Sequence, residues 1–468
     1  MKGRAFHAHP SLAAAADEAS SRAQRTRRSQ WLSTSERIDC VDALAVWRTA
    51  EHDDRFYWEI PSRGEQVAAF GTTRAIELDG ADRFETAASE ARRLCDDLHV
   101  AAPCSEAGRV PILVGGFAFN AETSDRSWEG FPAGRLVLPE AVLCRSGDSA
   151  WLSVYVEVTP GCTPAAARDR LEATLEAAPR TGTRPSTPID VEAPEFRAAA
   201  DAPHGKFEAG VAKALSAIAS GDLEKVVLAR SVTLQRKGGF DPASILHELR
   251  RLHPACASFA VARQDAVFLG ATPERLLELE GLRVWTAAVA GSAPRGRSPE
   301  EDRQRAHELT ESKKEQAEHA VVVRALHDAL APLCSELEIS EAPRLLQLEG
   351  IQHLETPIRG LLREEASLLE LAGRLHPTPA VGGTPREAAL AWLDQHEDLE
   401  RGWYAGPVGV IRRDGGGELW VALRSALLGS ETARLFVGAG IVSGAEPHAE
   451  LRETQLKLRT MLNALVDL

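Results

Sequence analysis

Two glycine-centred turns constrain this chain more than any other feature in it. Asp414-Gly415-Gly416-Gly417 joins the apolar runs Trp403–Arg412 and Leu419–Leu427, and Ser146-Gly147-Asp148 joins Arg135–Cys144 to Ala150–Val158. Glycine supplies the positive φ that tight reversals need, and two strands joined so closely pair antiparallel. Other β-branched or apolar runs, Pro111–Phe119, Glu224–Leu234, Ser258–Val261, Ala266–Ala271, Arg283–Ala290 and Arg434–Val442, read as further strands. Between them, 3.6-residue periodicity predicts helices at Pro164–Ala177, Lys206–Ser220, Glu300–Leu333 and Pro447–Val466. Hairpins mixed with separate helices make this an α+β fold with antiparallel sheets.

The chain divides by composition. Residues 1–35 read as a polar lead-in and 36–180 as an N-terminal sheet-forming part. Residues 181–204 are rich in Pro, Thr and Ala and read as a loop or linker, and 205–468 form the last and longest part. We expect one α+β unit in which the N-terminal sheet packs beside, or wraps into, the C-terminal part.

Bulk chemistry narrows the class. No run of eighteen apolar residues occurs, so no helix is expected to span a membrane. Met1–Arg28 has no apolar core of the kind a signal peptide needs. Cys40, Cys95, Cys104, Cys144, Cys162, Cys256 and Cys334 form no CxxC pair, which fits reduced thiols in the cytoplasm. The formal charge of −14 disfavours nucleic acid and anionic membranes as partners. An anionic substrate would therefore need its own local cluster of cations.

Such a cluster, with carboxylates beside it, can be assembled from the sequence. Glu315 and Glu318 share a helix face that continues through Val322 and Leu326, so they extend an apolar stripe. Glu450, Glu453 and Lys457 do the same above Met461 and Leu465. Two readings stay open here: carboxylates aimed inward at one hard cation such as Mg²⁺, or solvated faces with i,i+4 pairs such as Lys314–Glu318 and Glu453–Lys457. Lys225, at the mouth of an apolar strand, is either a desolvated base or a lysine reaching for water. Glu274, after Pro273, is either a general acid or a charged residue opening a helix. Gly438-Ala439-Gly440 either admits a ligand close to the backbone or bends a strand. Gly382-Gly383-Thr384-Pro385 is either an anion-binding helix start or an ordinary cap. Arg424, placed in a strand among small apolar residues, wants a carboxylate from the protein or from a ligand.

The ordered motifs KVVLAR (Lys225–Arg230), GATPERL (Gly270–Leu276), AGSAPRG (Ala290–Gly296), SKKEQAEH (Ser312–His319), HPTPAVGGTPREA (His376–Ala388), GWYAGPVG (Gly402–Gly409), LRSA (Leu423–Ala426) and GAGIV with ELRETQLK (Gly438–Lys457) carry a resemblance. Over Phe207–Leu465 the chain resembles the chorismate-utilising enzymes: isochorismate, salicylate, anthranilate and aminodeoxychorismate synthases. RIDCVDAL (Arg37–Leu44) and GGFAF (Gly115–Phe119) are similar to longer members tied to menaquinone synthesis. The resemblance implies two face-to-face antiparallel sheets with outer helices. It implies Glu318 and Glu453 as Mg²⁺ ligands, with Glu315 and Glu450 holding metal-bound water. It implies Lys225 as the base that activates water and Glu274 as the general acid. Arg424, Lys457, Tyr404 and the backbone around Gly438 and Gly440 match groups that hold substrate carboxylates, and Gly291, Ser292, His353 and Thr384 match pocket-lining positions.

Within that family, the lysine at 225 and the absence of a lysine at Ala290 imply water rather than an amine as nucleophile. The expected activity is Mg²⁺-dependent conversion of chorismate to isochorismate, an isomerase reaction feeding menaquinone or siderophore synthesis. Ser292 stands where many members have Thr and keeps the hydroxyl. Thr384 and Leu423 match some salicylate synthases as well as some isochorismate synthases, so a second, pyruvate-eliminating step stays open. Two further readings are an ammonia-dependent synthase subunit and a non-catalytic chorismate-binding paralogue. No amidotransferase is expected as partner, and the chain is expected to be a monomer or weak homodimer in the cytoplasm.

Overall fold

The computed structural model describes residues 10–101, 110–123, 125–182 and 196–466. Cys104 and most of the expected linker lie outside them. Among the described residues the strands form a 13-stranded and a 10-stranded sheet. All pairings are antiparallel except one, Gln30–Ile38 beside Leu98–Ala101.

The N-terminal part has no sheet of its own. Arg55–Ile60 pairs with Ala257–Arg263 in the larger sheet, and Leu113–Phe117 pairs with Pro407–Ile411 in the smaller. Both sheets thus run unbroken from early strands to late ones. The larger sheet is buried on both faces, as its alternation shows. Phe56, Trp58, Val67, Phe259 and Val261 face the core shared with the smaller sheet, while Tyr57, Ala68, Ala260 and Ala262 face a second core. That second core is roofed by helices, including Leu458, Met461 and Leu465 of Pro447–Val466.

Several expectations need correction. The lead-in is part of the fold: Pro10–Thr26 is a helix that buries Ala16, Ala19 and Ala23, and Gln30–Ile38 is a strand. Alanine at helical spacing makes a close-packing face that a polar-looking composition conceals. Part of the expected linker, Phe196–Ala200, is a strand paired with Lys225–Arg236. The long helix breaks at Ser312 into Pro299–Glu311 and Lys313–Leu330. The Ser312 side chain accepts from Glu315 N, so Ser-x-x-Glu works here as a helix start. Arg135–Cys144 divides at Pro139 into one strand of each sheet. The hairpin after Trp403 is confined to Pro407–Ile411 and Gly417–Val421. Pro164–Ala177 and Pro447–Val466 are helices with the expected bounds. Among the described residues no helix is long and apolar enough to cross a membrane.

Candidate active site

Two of the site residues stand where the chain changes sheets. Ala266–Thr272 belongs to the larger sheet and Arg275–Glu280 to the smaller, and Pro273-Glu274 is the crossing. Gly417–Val421 returns through Ala422-Leu423-Arg424 to Ser425–Leu428 of the larger sheet. A crossing leaves the ladder, so its side chains point into the gap between sheets. Glu274 therefore opens a strand rather than a helix, and Arg424 lies between strands rather than within one. Arg424 has φ +47°, a left-handed conformation that costs a non-glycine residue about 1–2 kcal/mol.

The gap at these crossings is a cavity whose wall includes Glu274, Gly291, Ser292, Glu318 and His353. Tyr404, Arg424, Gly438, Gly440 and Lys457 extend the polar part, and Val289, Ala380, Val381 and Leu423 add apolar surface. Lys225 does not line it directly. It is fully buried behind Glu318, to whose Oε1 its Nζ lies at 3.0 Å. Thr384 sits opposite Lys225 in the ladder, on the two-residue strand Gly383-Thr384, and is not among the wall residues. The backbone carbonyls of Gly382 and Thr384 accept from Val227 N and Glu224 N, so this glycine-rich segment pairs with the lysine strand.

At Gly440 a side chain would displace the Glu318 carboxylate. A Cβ there would collide with Glu318 Oε1 and approach Lys225 Cε at 3.1 Å. At Gly438 a Cβ would come within 3.2 Å of the Tyr404 hydroxyl. The Gly438-Ala439-Gly440 segment is thus a flat strand surface against which the polar groups pack.

On one wall Arg424 donates to His353 Nε2 at 2.7 Å and to Thr460 Oγ1 at 3.2 Å. Arginine has no acceptor, so Nε2 must accept and the imidazole proton sits on Nδ1. That nitrogen lies 3.0 Å from Ser292 Oγ and 3.3 Å from the Gly291 carbonyl. Burial first, and then Arg424 and Lys457, push the His353 pKa well below its ordinary value, which keeps the ring neutral. Among the described residues no carboxylate pairs with Arg424, although it is buried. A guanidinium so placed calls for an anion from outside the protein.

On the other side two helices bring four carboxylates together, of which Glu318 alone is among the wall residues. Glu315 and Glu318 come from Lys313–Leu330, and Glu450 and Glu453 from Pro447–Val466. Glu315 accepts from Ser292 N at 3.0 Å. Glu453 pairs with Lys457 at 2.7 Å, the expected i,i+4 contact, and Lys457 also donates to the Gly438 carbonyl. The other expected pair does not form. Lys314 reaches Glu450 at 2.8 Å and Glu315 at 3.4 Å, while Glu318 belongs to Lys225.

Electrostatics separates these acids. Burial pushes Glu274 up to about 7, with Lys225 and Lys457 pulling only partly against it. Burial, then Glu453, pushes Glu450 up to about 7 as well, and burial, then Glu318, raises Glu315. Burial would raise Glu318 too, but Lys225, followed by Lys457 and Lys314, more than offsets it and holds the carboxyl below its ordinary range.

An all-oxygen donor set suits a hard divalent cation. Two observations fit one here: neighbouring carboxylates add to burial in raising Glu315 and Glu450, and Glu450 Oε2 is buried with no hydrogen-bond partner. Even so, among the described residues no three carboxylates, imidazoles or thiols are gathered into a ready-made cage. Lysine ammoniums lie between them instead.

Three residues given no role in the site from the sequence belong to it. Arg401 is buried in the wall, paired with Glu397 at 2.5 Å, and donates to the Val381 and Val227 carbonyls. It ties the apolar wall to the lysine strand. His319 bridges the Ala290 carbonyl and Thr356 Oγ1, fixing the strand that carries Gly291 and Ser292. Lys314 joins the two helices. Arg401 and His319 lie inside or beside motifs already noted, but their partners are distant in sequence, and no local signal reports them.

Comparison with known proteins agrees with this geometry. The family described as chorismate binding enzyme matches residues 17–466. The "Salicylate biosynthesis isochorismate synthase" of Pseudomonas aeruginosa is 37% identical over 462 residues, covering 96% of this chain and 93% of that protein. "Isochorismate synthase MenF" of Bacillus subtilis is 32% identical, covering 93% of each. Among solved structures, MenF, the menaquinone-specific isochorismate synthase from Escherichia coli, superposes with a TM-score of 0.77 at 26% identity, covering 92% of this chain and 94% of that one.

Proposed function

The chain belongs to the chorismate-binding enzyme family, and from that premise we propose that it converts chorismate to isochorismate with water as the nucleophile. One observation carries the reading. A buried carboxyl poised near neutrality and a fully buried lysine paired to a carboxylate flank one cavity, which also holds an arginine with no carboxylate partner among the described residues.

Arg424 and Lys457, with the Tyr404 hydroxyl, take the substrate carboxylates at the flat Gly438–Gly440 surface. His353 aims the Arg424 guanidinium, and Ser292 and Gly291 hold the His353 ring. Lys225 accepts a proton from the water that attacks C2. Its ammonium pairs with Glu318 in this geometry, so that pair has to open and the proton has to leave before the amine can act. Glu274 donates a proton to the departing C4 hydroxyl, so one water enters and one leaves. A group with a pKa of about 7 is well matched to this task, since it still carries a proton near neutrality and releases it readily.

Mg²⁺ is the cation we propose for Glu318 and Glu453, with Glu315 and Glu450 beside them. Bound there it supplies positive charge for the ring carboxylate. The proposal extends to an enzyme that needs no amidotransferase, because water is the nucleophile, and that works in the cytoplasm as a monomer or weak homodimer.

The test is product analysis of chorismate incubated with the protein and Mg²⁺, with and without ammonium. Isochorismate in equilibrium with chorismate, with no pyruvate released, is the expected result. Salicylate with stoichiometric pyruvate would show that the same cavity also runs the elimination. Product only when ammonium is present would overturn the assignment of water as nucleophile.

A further inference from the structure

The four carboxylates are matched by three lysines, and only one of these bridges the helices. Lys225 comes from a strand, and Lys457 meets Glu453 along its own helix. Lys314 leaves the first turn of Lys313–Leu330 and crosses to Glu450 on the other helix. A helix start is a poor place for an ammonium, because that end of the macrodipole is itself positive. The carboxylates across the gap hold it there. Burial alone would lower the Lys314 pKa, but Glu450 and then Glu315 and Glu453 outweigh it, so the ammonium persists.

Two further observations set Lys314 apart. It satisfies only Oε1 of Glu450 and leaves Oε2 buried without a partner. It also has a way out: its side chain is 29% exposed, against 1% for Lys225, and unlike Lys457, at 22%, it donates to no backbone carbonyl among the described residues that would hold it in the site. A lysine on a flexible four-carbon stem can move its charge into water at little cost.

We propose that Lys314 is the internal counter-cation of this site, neutralising Glu450 and Glu315 in the metal-free enzyme and swinging to solvent when a divalent cation binds. Lys314 thereby stabilises the metal-free form and weakens metal binding. With all groups ionised, four carboxylates against three ammoniums leave one negative charge. A divalent ion added to the full set reverses that sign, whereas with Lys314 withdrawn the sum is zero. The proposal rests on the metal reading above.

Calorimetric titration of metal-free protein with MgCl₂ at pH 8 tests it, comparing wild type, Lys314→Met and Lys314→Arg. The Lys314→Met protein should bind Mg²⁺ several-fold to about tenfold more tightly, the scale of one partly exposed charge interaction. Lys314→Arg should stay close to wild type. Without metal, Lys314→Met should melt below wild type, and saturating Mg²⁺ should close the gap. Lys314→Gln gives the same reading should the methionine variant not fold. Equal or weaker Mg²⁺ binding by Lys314→Met would overturn the proposal alone, since a lysine that stays to orient Glu450 predicts that loss. A wild type that binds neither Mg²⁺ nor Mn²⁺ would instead remove the metal reading, and this proposal with it.

Discussion

Glu274 and Glu318 are equally deep in the protein and end in opposite states. Both lie in the wall of one cavity. Glu274 stands at a sheet crossing with no salt bridge, and burial carries it to about 7. Glu318 stands on a helix with Lys225 at 3.0 Å, and that ammonium, helped by Lys457 and Lys314, overrides the same burial. The difference shows that the partner, not the depth, decides which buried acid keeps its proton. The site needs both kinds: an acid that can donate, and a carboxylate that stays charged.

Removing the partner should collapse the difference. Lys225→Ala deletes the base and leaves Glu318 buried and unpaired, so its carboxyl should rise as Glu274 does. Turnover of chorismate should fall by about 10²–10⁴, the usual worth of a positioned base. Steady-state assays check this, and turnover within tenfold of wild type would remove Lys225 from the role.

Changing the acid should split activity from stability. Glu274→Gln cannot donate the proton, so turnover should fall by about 10² or more. In the wild type, kcat should decline as pH rises through about 7, where Glu274 loses its proton. The stability sign is opposite. Because the folded pKa is raised from 4.5 to about 7, the folded state holds a proton that the unfolded chain has released. This group's contribution therefore falls as pH rises through that window. Glutamine removes that loss, so at pH 8 the variant should be more stable by up to about 3 kcal/mol. Thermal melts at pH 8 and pH 4.5 test it: a stabilisation that vanishes at the lower pH is expected, and an equal shift at both would contradict the assignment.

The smallest effect falls on the Arg424 side. Ser292→Ala takes one partner from His353 Nδ1 but leaves the Gly291 carbonyl. Arg424 should stay nearly in place, with KM for chorismate rising a few-fold and kcat little changed. A loss confined to kcat would mean that Ser292 acts on the reaction and not on the aim of Arg424.

Much of this was legible in the sequence, and the reason is local. Hairpin turns at Gly147 and Gly415–Gly417 demanded antiparallel pairing, and helical period set Pro164–Ala177 and Pro447–Val466. Spacing of three put Glu315 with Glu318, and Glu450 with Glu453, on inward faces. Each of these follows from neighbours a few residues apart. The break at Ser312 was also written locally, as Ser-x-x-Glu before a helix, but periodicity on both sides masked it.

Tertiary structure alone decided the pairings. Lys314 stands four residues from Glu318, yet it bonds Glu450, and Lys225 takes Glu318 from ninety-three positions away. Periodicity shows which side of a helix is buried, not which charge waits across the gap. The crossings at Pro273-Glu274 and Ala422-Leu423-Arg424 were hidden for the same reason. A strand that ends and a strand that changes sheets look alike until the second sheet is in place. The residue types and their spacing came from the chain itself. Their protonation and their partners were set by packing, because Coulomb energy and desolvation depend on distance through space.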